Sequence, residues 1–153
     1  MIVVADDITG AAEMAGIAFA QGLSVRLVCG SSACCDTVAV NGTTVIATDT
    51  RSMTEAEAVA ETQKASFLIP HSSLLIPHSS FLIYKKTDSA LRGHVVAELS
   101  ALMQAMGYHR AVYLPANPSK GRVIRGGIYY IIMYLYTRRT SRSTQSFLLL
   151  PRL

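Results

Sequence analysis

The sequence predicts an α/β fold, an open and mostly parallel sheet flanked by helices in a single domain. Three observations lead to this prediction. Apolar runs of four to six residues alternate with stretches of helical period, as expected when parallel strands are joined by covering helices. Half of the 153 residues are hydrophobic, which is enough to build a core without disulfides or metals. Glycines and a capping box mark helix ends.

Each element follows from its local pattern. The first helix is rich in alanine and ends at Gly22, a residue type common just beyond helix ends. The second helix begins with a capping box formed by Thr54 and Glu57. The third helix has apolar residues on one face and ends at Gly107. The predicted strands are 2–5, 24–29, 43–48, 81–85 and 111–114, and the predicted helices are approximately 9–21, 55–65 and 91–106.

The net charge of +4 does not describe a basic surface. Residues 1–130 contain ten lysines and arginines against ten aspartates and glutamates, so the whole excess lies in residues 131–153. A neutral body predicts no nucleic-acid partner. Three cysteines without an even framework or CxxC spacing favour a reducing cytoplasm. With no basic leader and no long apolar span, we expect neither secretion nor membrane insertion.

Two segments depart from the alternating pattern. The hexapeptide LIPHSS occurs at 68–73 and again at 75–80, which we interpret as a local duplication within a connection. From residue 131 onward, twenty-three residues contain no Gly, Ala, Val, Asp, Glu, Asn or Lys. A shifted reading frame is one explanation, and a genuine strand followed by a basic segment is the other. We therefore expect a domain over 1–130 and an atypical tail over 131–153.

Polar residues follow the ends of four predicted strands, where the carboxyl ends of an open α/β sheet form the usual ligand crevice. Carboxylates can hold sugar hydroxyls, while Arg and Lys can hold a carboxylate or phosphate, so the site suits a small polyhydroxy acid. A single Asp or Asn there is commonly a cap or turn residue, but two adjacent aspartates repel each other without a partner. The residues are Asp6 and Asp7 after the first strand, Asp49 and Arg51 after the third, Lys86, Asp88 and Arg92 after the fourth, and Asn117 after the fifth.

Four sequence blocks in this order carry a resemblance to a known family: ADDITGAAEMA from residue 5, TDTRS from residue 48, YKKTDSALRGHVVAEL from residue 84 and PANPSKGRVIRGG from residue 115. They resemble the four-carbon acid sugar kinase family, at its N-terminal substrate-binding domain. The resemblance implies ATP-dependent phosphorylation of acids such as threonate or erythronate, with ATP and Mg²⁺ bound by the full-length protein. The binding residues that it implies are Asp6, Asp7, Arg51, Lys86, Asp88, Ser89, Arg92, Gly93, Asn117 and Arg122.

The resemblance also implies a catalytic base, for which Asp7 and Asp88 are the two candidates. The sequence departs from the family at Ala90, where threonine is usual, and at His94, where asparagine is usual. It contains no GxxxxGK[ST] loop and no GxGxxG motif. We therefore expect a sugar-acid-binding domain without the C-terminal nucleotide-binding domain. Such a chain is expected to be inactive alone and to bind neither ATP nor Mg²⁺ tightly.

Two other functions stay open. A stand-alone sugar-acid-binding module would use residues 131–153 to complete its fold. A metal-dependent phosphoesterase would use Asp6, Asp7, Asp49 and Asp88 to hold Mg²⁺ or Mn²⁺. Cationic side chains in the same crevice argue against a pure metal cage, and the histidines lack zinc-ligand spacing, so no metal site is predicted. An out-of-frame tail would leave an apolar edge uncovered, which predicts self-association.

Overall fold

A computed structural model of the chain describes residues 1–30, 42–69, 82–132 and 144–148. The chain divides into two compact units, Met1–Ala111 and Val112–Leu153, and each is described by itself. The first contains strands β1 to β4 and helices α1 to α3, and the second contains strands β5 to β7. The strands are β1 Ile2–Ala5, β2 Ser24–Cys29, β3 Gly42–Ala47, β4 Ile83–Lys86, β5 Arg122–Arg125, β6 Ile128–Ile132 and β7 Thr144–Leu148, and the helices are α1 Ile8–Ala20, α2 Glu55–Ser66 and α3 Val95–Met106.

The first unit is built on a four-stranded parallel sheet in the order β2-β3-β1-β4. Ala5 at the end of β1 lies opposite Ala47 of β3 and Lys86 of β4. The carboxyl ends of these three strands therefore lie at one edge of the sheet, and the residues that follow them are brought close together. The sheet and its helices confirm the predicted α/β fold.

The core has a layer on each face of the sheet, because successive strand residues point to opposite faces. On one face, Ile2 and Ile46 pack with Leu102 of α3. On the other face, Val3 and Val45 pack with Ala11 of α1. β1 is thus covered on both sides, which explains why its sequence is a continuous apolar run.

The predicted helix ends are largely confirmed. Thr54 and Glu57 form both halves of the capping box, and Gly107 caps α3 in the left-handed conformation with φ 70°. The predicted start of α3 at residue 91 was wrong, because the helix begins at Val95. The preceding residues form turns whose amide groups donate to the side chain of Asp88.

The predicted strand at 111–114 was also wrong, since these residues belong to no strand. Val112 is 96% exposed. An apolar run forms a strand only when another strand pairs with its backbone. The sequence pattern does not show whether such pairing occurs. The predicted strand at 81–85 is shifted to Ile83–Lys86.

The second unit contains an antiparallel sheet in the order β5-β6-β7. Gly126 and Gly127 connect β5 to β6 with φ 56° and 78°, which is the left-handed backbone that tight hairpin turns require. Tyr129 is buried and donates a hydrogen bond from its hydroxyl to the carbonyl of Pro115 at 3.2 Å. Of the unusual segment from residue 131, the structure describes residues 131–132 and the backbone pairing of β7 with β6.

The LIPHSS duplication falls mostly outside the described residues: Leu68 and Ile69 are described, and the second copy is not. Ile69 lies buried in the core beside Leu102. Across the described ranges, no helix combines the length and apolarity needed to span a membrane.

Candidate functional site

Five charged side chains meet at the carboxyl edge of the parallel sheet, and we call them the Arg51 cluster: Asp6, Asp7, Arg51, Asp88 and Arg92. Arg51 is at its centre. Its Nε and Nη2 donate to the two oxygens of Asp6, both at 3.1 Å, and its Nη1 donates to Oδ2 of Asp7 at 2.6 Å. Its Nη2 also lies 3.5 Å from Oδ1 of Asp88. One guanidinium therefore joins carboxylates that follow two different strands.

The backbone holds Arg51 in this position. The amide of Arg51 donates to the carbonyl of Asp6 at 3.2 Å, and the amide of Thr48 donates to the carbonyl of Ala5 at 2.9 Å. Gly93 lies against the other side, and a Cβ at this residue would be 3.5 Å from the Cα of Arg51. Its φ of 81° requires glycine.

The electrostatic environment of Arg51 favours its charge. Burial alone would lower the pKa of Arg51, but its hydrogen bonds and ion pairs with the three carboxylates raise the pKa above its ordinary value. Arg51 in turn keeps the adjacent Asp6 and Asp7 from repelling each other. The cost predicted for two neighbouring carboxylates is thus offset within the chain.

Asp88 is held by a second arginine and by two backbone amides. Arg92 donates to it from Nε at 2.8 Å and from Nη2 at 2.9 Å. The amides of Ala90 and Arg92 donate to Oδ2 at 2.9 and 3.2 Å. Arg92 above all, and then these amides and Arg51, hold the pKa of Asp88 far below its ordinary value, although burial opposes the shift. Asp88 is therefore a firmly ionised anchor.

Asp7 connects the cluster to the start of α1. Its Oδ1 accepts a hydrogen bond from the amide of Gly10 at 2.8 Å, which makes Asp7 the N-cap of the helix. Lys86 lies beside the same turn, where its Nζ donates to the carbonyl of Thr87 at 3.0 Å and lies 3.6 Å from Oε2 of Glu13. Lys86 thus adds a third cation to this edge of the sheet.

The cluster has a buried side and an open side. The Asp6 and Asp88 side chains are 4% and 6% exposed, whereas Asp7 and Arg92 are 15% and 66% exposed. Arg92 uses Nε and Nη2 for Asp88, and within the described part of the chain its other guanidinium hydrogens are available to a ligand. A ligand would therefore meet Arg92 and Asp7 before it met Asp6 or Asp88.

The structure brings together most of the predicted site residues but not all of them. Asp49 follows β3 as expected, but it is exposed and, among the described residues, has no ion pair or hydrogen-bond partner. Ser89 is half-buried in the turn after Asp88. Asn117 and Arg122 lie in the second unit, where their backbones form a bridge. The expectation that Asn117 would follow a fifth strand fails with that strand.

His94 lies at the start of α3. The resemblance leads us to expect asparagine at this position. Its Nε2 lies 2.8 Å from the carbonyl of Met53, and its Nδ1 lies 3.8 Å from Glu55. His94 therefore connects the segment before α2 to the segment before α3. Ala90 contributes to the site through its backbone amide, which donates to Asp88.

The sequence prediction missed a buried polar network behind the cluster. Lys85 and Glu98 form a buried ion pair of 2.6 Å, and Thr50 donates to the same Glu98 oxygen at 2.9 Å. A usable signal was the presence of Lys85 inside a strand of a covered sheet, since a charge at such a position needs a buried partner.

The metal-dependent alternative is not favoured by this geometry. Across residues 1–30, 42–69, 82–132 and 144–148, no group of three or more His, Cys, Asp or Glu side chains is arranged to hold a metal ion. The guanidinium of Arg51 lies between Asp6, Asp7 and Asp88, where a cation would otherwise be expected.

Comparison with known proteins places this geometry in context. Residues 1–146 match the family model for the sugar-binding N-terminal domain. The D-threonate kinase of Bordetella bronchiseptica is 34% identical over 131 residues, which cover 84% of this chain and 31% of that protein. The 3-oxo-tetronate kinase of Brucella melitensis is 32% identical over 131 residues, which cover 84% of this chain and 29% of that protein. The chain thus spans less than a third of the length of these kinases.

A solved structure supports the same relationship. A domain of unknown function from Bordetella bronchiseptica, crystallised as a domain-swapped dimer with bound citrate, aligns with a TM-score of 0.69 at 28% identity, covering 85% of this chain and 32% of that one. The family predicted from the four sequence blocks is confirmed. The chain belongs to the family of sugar-binding N-terminal domains and matches the N-terminal part of four-carbon acid sugar kinases.

Proposed function

We propose that the Arg51 cluster binds a four-carbon sugar acid, such as threonate, erythronate or 3-oxo-tetronate, as the substrate site of an ATP-dependent kinase. The observation that supports this most is the arrangement around Arg51, whose guanidinium contacts carboxylates that follow two strands while Arg92 stays exposed. The related D-threonate kinase and 3-oxo-tetronate kinase support this choice of substrate class. The hydroxyls of such an acid suit the acidic groups of the site, and its carboxylate suits the basic groups.

We assign the exposed Arg92 and the largely buried Lys86 to the carboxylate of the substrate. Arg92 has guanidinium hydrogens that no described residue accepts, and it can form two parallel bonds to a carboxylate. Lys86 supplies a second positive charge near the N-terminus of α1. Arg51, which the sequence suggested as a substrate clamp, is instead occupied by Asp6 and Asp7, so we assign it the role of positioning those carboxylates.

Asp7 is the better candidate for the base that accepts the proton of the substrate hydroxyl. A carboxylate whose pKa is strongly lowered binds a proton weakly, and Asp88 is such a group. The oxygens of Asp88 already accept four hydrogen bonds. Asp7 has the more exposed carboxylate and lies at the open side of the cluster. We assign Asp88 to the structural support of Arg92.

ATP and Mg²⁺ are assigned to the part of the full-length kinases that lies beyond this chain's match. ATP supplies the phosphoryl group, and Mg²⁺ neutralises its charge. The described carboxylates do not fit a metal, because Arg51 lies between them. In this assignment residues 1–130 form the substrate domain, which holds the acid.

Isothermal titration of the purified chain tests the binding proposal. D-threonate and D-erythronate are the probes, while threitol, which lacks the carboxylate, and butyrate, which lacks the hydroxyls, are the controls. We expect binding of at least one acid, weaker or absent binding of both controls, and no effect of ATP.

Arg92→Gln should weaken binding about tenfold or more, since it removes a charged hydrogen-bond pair. Arg110→Gln, at an exposed arginine outside the cluster, should leave binding unchanged. Equal binding of butyrate, or no binding of either acid, would contradict the proposal.

We also propose that the chain self-associates. Leu27 on the outer strand β2 and Tyr84 on the outer strand β4 are exposed apolar side chains, which a lone monomer would leave in contact with water. The related domain from Bordetella bronchiseptica is a domain-swapped dimer, which supports this expectation. Light scattering should give a mass above that of the 16.5 kDa monomer. A monomeric mass at all concentrations would exclude it.

A further inference from the structure

A buried polar network connects the core of the first unit to the loop that contains Arg51. Nζ of Lys85 lies 2.6 Å from Oε2 of Glu98, and the hydroxyl of Thr50 donates to the same oxygen at 2.9 Å. Oγ1 of Thr48 lies 3.0 Å from Oγ1 of Thr50 and donates to the carbonyl of Ala5 at 2.9 Å. Thr50 therefore connects the loop after β3 to α3, and Thr48 connects the same loop to the end of β1.

The two lysines at the end of β4 have different roles because adjacent strand residues point to opposite faces. Lys86 points towards α1, where its side chain lies close to Gly10 and Glu13. Lys85 points towards α3 and is 5% exposed, while its partner Glu98 is 2% exposed. The Lys85–Glu98 pair is thus separate from the open side of the Arg51 cluster.

Stability alone does not account for this ion pair. Removing two charges from water carries a desolvation cost, and well-packed apolar residues of similar volume often stabilise a fold as well or better. What the pair adds is a fixed, charged acceptor for the hydroxyl of Thr50. A hydrogen bond to a charged acceptor is stronger than one between neutral groups.

The loop held by this acceptor is strained. Asp49 lies between Thr48 and Thr50 and has φ 56°, in the left-handed region that costs free energy for a residue other than glycine. Both neighbours of Asp49 are buried and hydrogen-bonded, so the strain is confined to one exposed residue. Arg51 follows Thr50, and the direction of the Arg51 side chain depends on the conformation of this loop.

We infer that Glu98, held by Lys85 and acting through Thr50, is a positioning residue that aims Arg51 at Asp6 and Asp7. The expected effect on sugar-acid binding rests on the proposed function, since a displaced Arg51 would displace the carboxylates and weaken binding. The effect of Glu98 on the position of Arg51 does not depend on any ligand. Glu98 touches neither the proposed substrate nor the open side of the cluster.

Thr50→Val separates positioning from the ion pair, because it removes one hydroxyl and leaves Lys85 and Glu98 in place. The first readout needs no ligand: the Nε–H signal of Arg51 in a ¹H–¹⁵N spectrum, assigned with Arg51→Lys, should move or broaden. The second readout is titration with D-threonate and D-erythronate, in which binding should weaken about tenfold because the displaced carboxylates fit the acid less well. Thr50→Ser, which restores the hydroxyl, should return both readouts towards the parent.

Thr62→Val is the matched control, since the Thr62 hydroxyl is also buried but has no hydrogen-bond partner among the described residues. It should leave the Arg51 signal and the binding unchanged. Thr50→Cys, with a weak donor of similar size, replaces the valine variant if that variant does not fold. An unmoved Arg51 Nε–H signal in Thr50→Val, or in Thr50→Cys, would overturn the inference. If the parent binds no sugar acid, the proposed function fails while the Arg51 signal still decides the positioning role.

Discussion

Arg51 and Asp6 face each other through two parallel hydrogen bonds, each 3.1 Å long, although they lie forty-five residues apart in sequence. The Asp6 side chain is almost fully buried, and Arg51 is its ion-pair partner. The pair joins the end of β1 to the loop after β3 and places Asp7 beside them. Both the stability of the sheet edge and the shape of the candidate site therefore depend on one guanidinium.

Arg51→Met tests this dependence. Removing one partner of a buried ion pair leaves an uncompensated charge, so the free energy of unfolding should fall by about 3 kcal/mol. Arg51→Lys should lose less, because it keeps the charge but not the two-bonded geometry. Urea unfolding measures both, with Arg110→Met as an exposed control that should stay within about 0.5 kcal/mol of the parent. Equal midpoints for Arg51→Met and Arg110→Met would show that the pair does not stabilise the fold.

Two glycines of α1 give a matched pair of alanine variants. Gly16 has no atom within 4 Å of an added Cβ, so Gly16→Ala should stabilise the protein by about 0.5–1 kcal/mol through helix propensity. At Gly10 the added Cβ would lie 2.8 Å from Oδ1 of Asp7. Gly10→Ala should therefore displace the cap, which costs about 1 kcal/mol, and also weaken sugar-acid binding. Thermal unfolding and titration measure these effects, and a gain in stability with unchanged binding for Gly10→Ala would contradict the account.

Asp88 gives a prediction about acid stability. Its pKa in the folded protein lies below its ordinary value of 3.8, so the unfolded chain binds the proton more readily. The stability that Asp88 contributes is therefore fully present above about pH 5 and is lost as the pH falls through 3.8 and below.

Asp88→Asn should accordingly lower stability at neutral pH and flatten the fall in stability below about pH 5. Asp49→Asn is the matched control, because Asp49 is exposed and has no ion pair among the described residues. Urea unfolding at several pH values gives both curves. Parallel curves for the parent and Asp88→Asn would show that Asp88 is not the group responsible.

Two buried threonines of β3 and the loop after it should respond oppositely to valine. The Thr43 hydroxyl is buried without a hydrogen-bond partner among the described residues, so Thr43→Val should stabilise the protein by about 1 kcal/mol. The Thr48 hydroxyl donates to the carbonyl of Ala5, so Thr48→Val should destabilise it by about 1–2 kcal/mol. Chemical denaturation distinguishes the two variants. A loss of stability in Thr43→Val would mean that its hydroxyl has a partner.

Much of the first unit was predictable because its signals are local. The apolar run of β1, the capping box at Thr54 and the glycine after α3 each depend on a few neighbouring residues. The convergence of Asp6, Arg51 and Asp88 was also predictable, since parallel strands bring their carboxyl ends to one edge. The alternation of strands and helices was sufficient to predict that edge.

The features that could not be predicted depend on which strands pair and on where side chains point. The apolar run at 111–114 has the composition of a strand but pairs with no described strand. Local pattern cannot distinguish a paired run from an unpaired one. The role of Arg51 was assigned to the substrate, because the sequence does not show that its donors already contact Asp6 and Asp7. Glu98 was overlooked because a carboxylate on a helix is usually exposed, and only its distance to Lys85 reveals the pair.

The measurement that most directly tests the central claim is chemical-shift mapping of the ¹⁵N-labelled chain during titration with D-threonate and D-erythronate. We expect the largest changes at the Nε–H of Arg92, at the amides near Asp7 and at those that follow Lys86, with Arg51 affected less. Binding with the largest changes elsewhere, or no change at the cluster on addition of either acid, would contradict the assignment of the Arg51 cluster as the sugar-acid site.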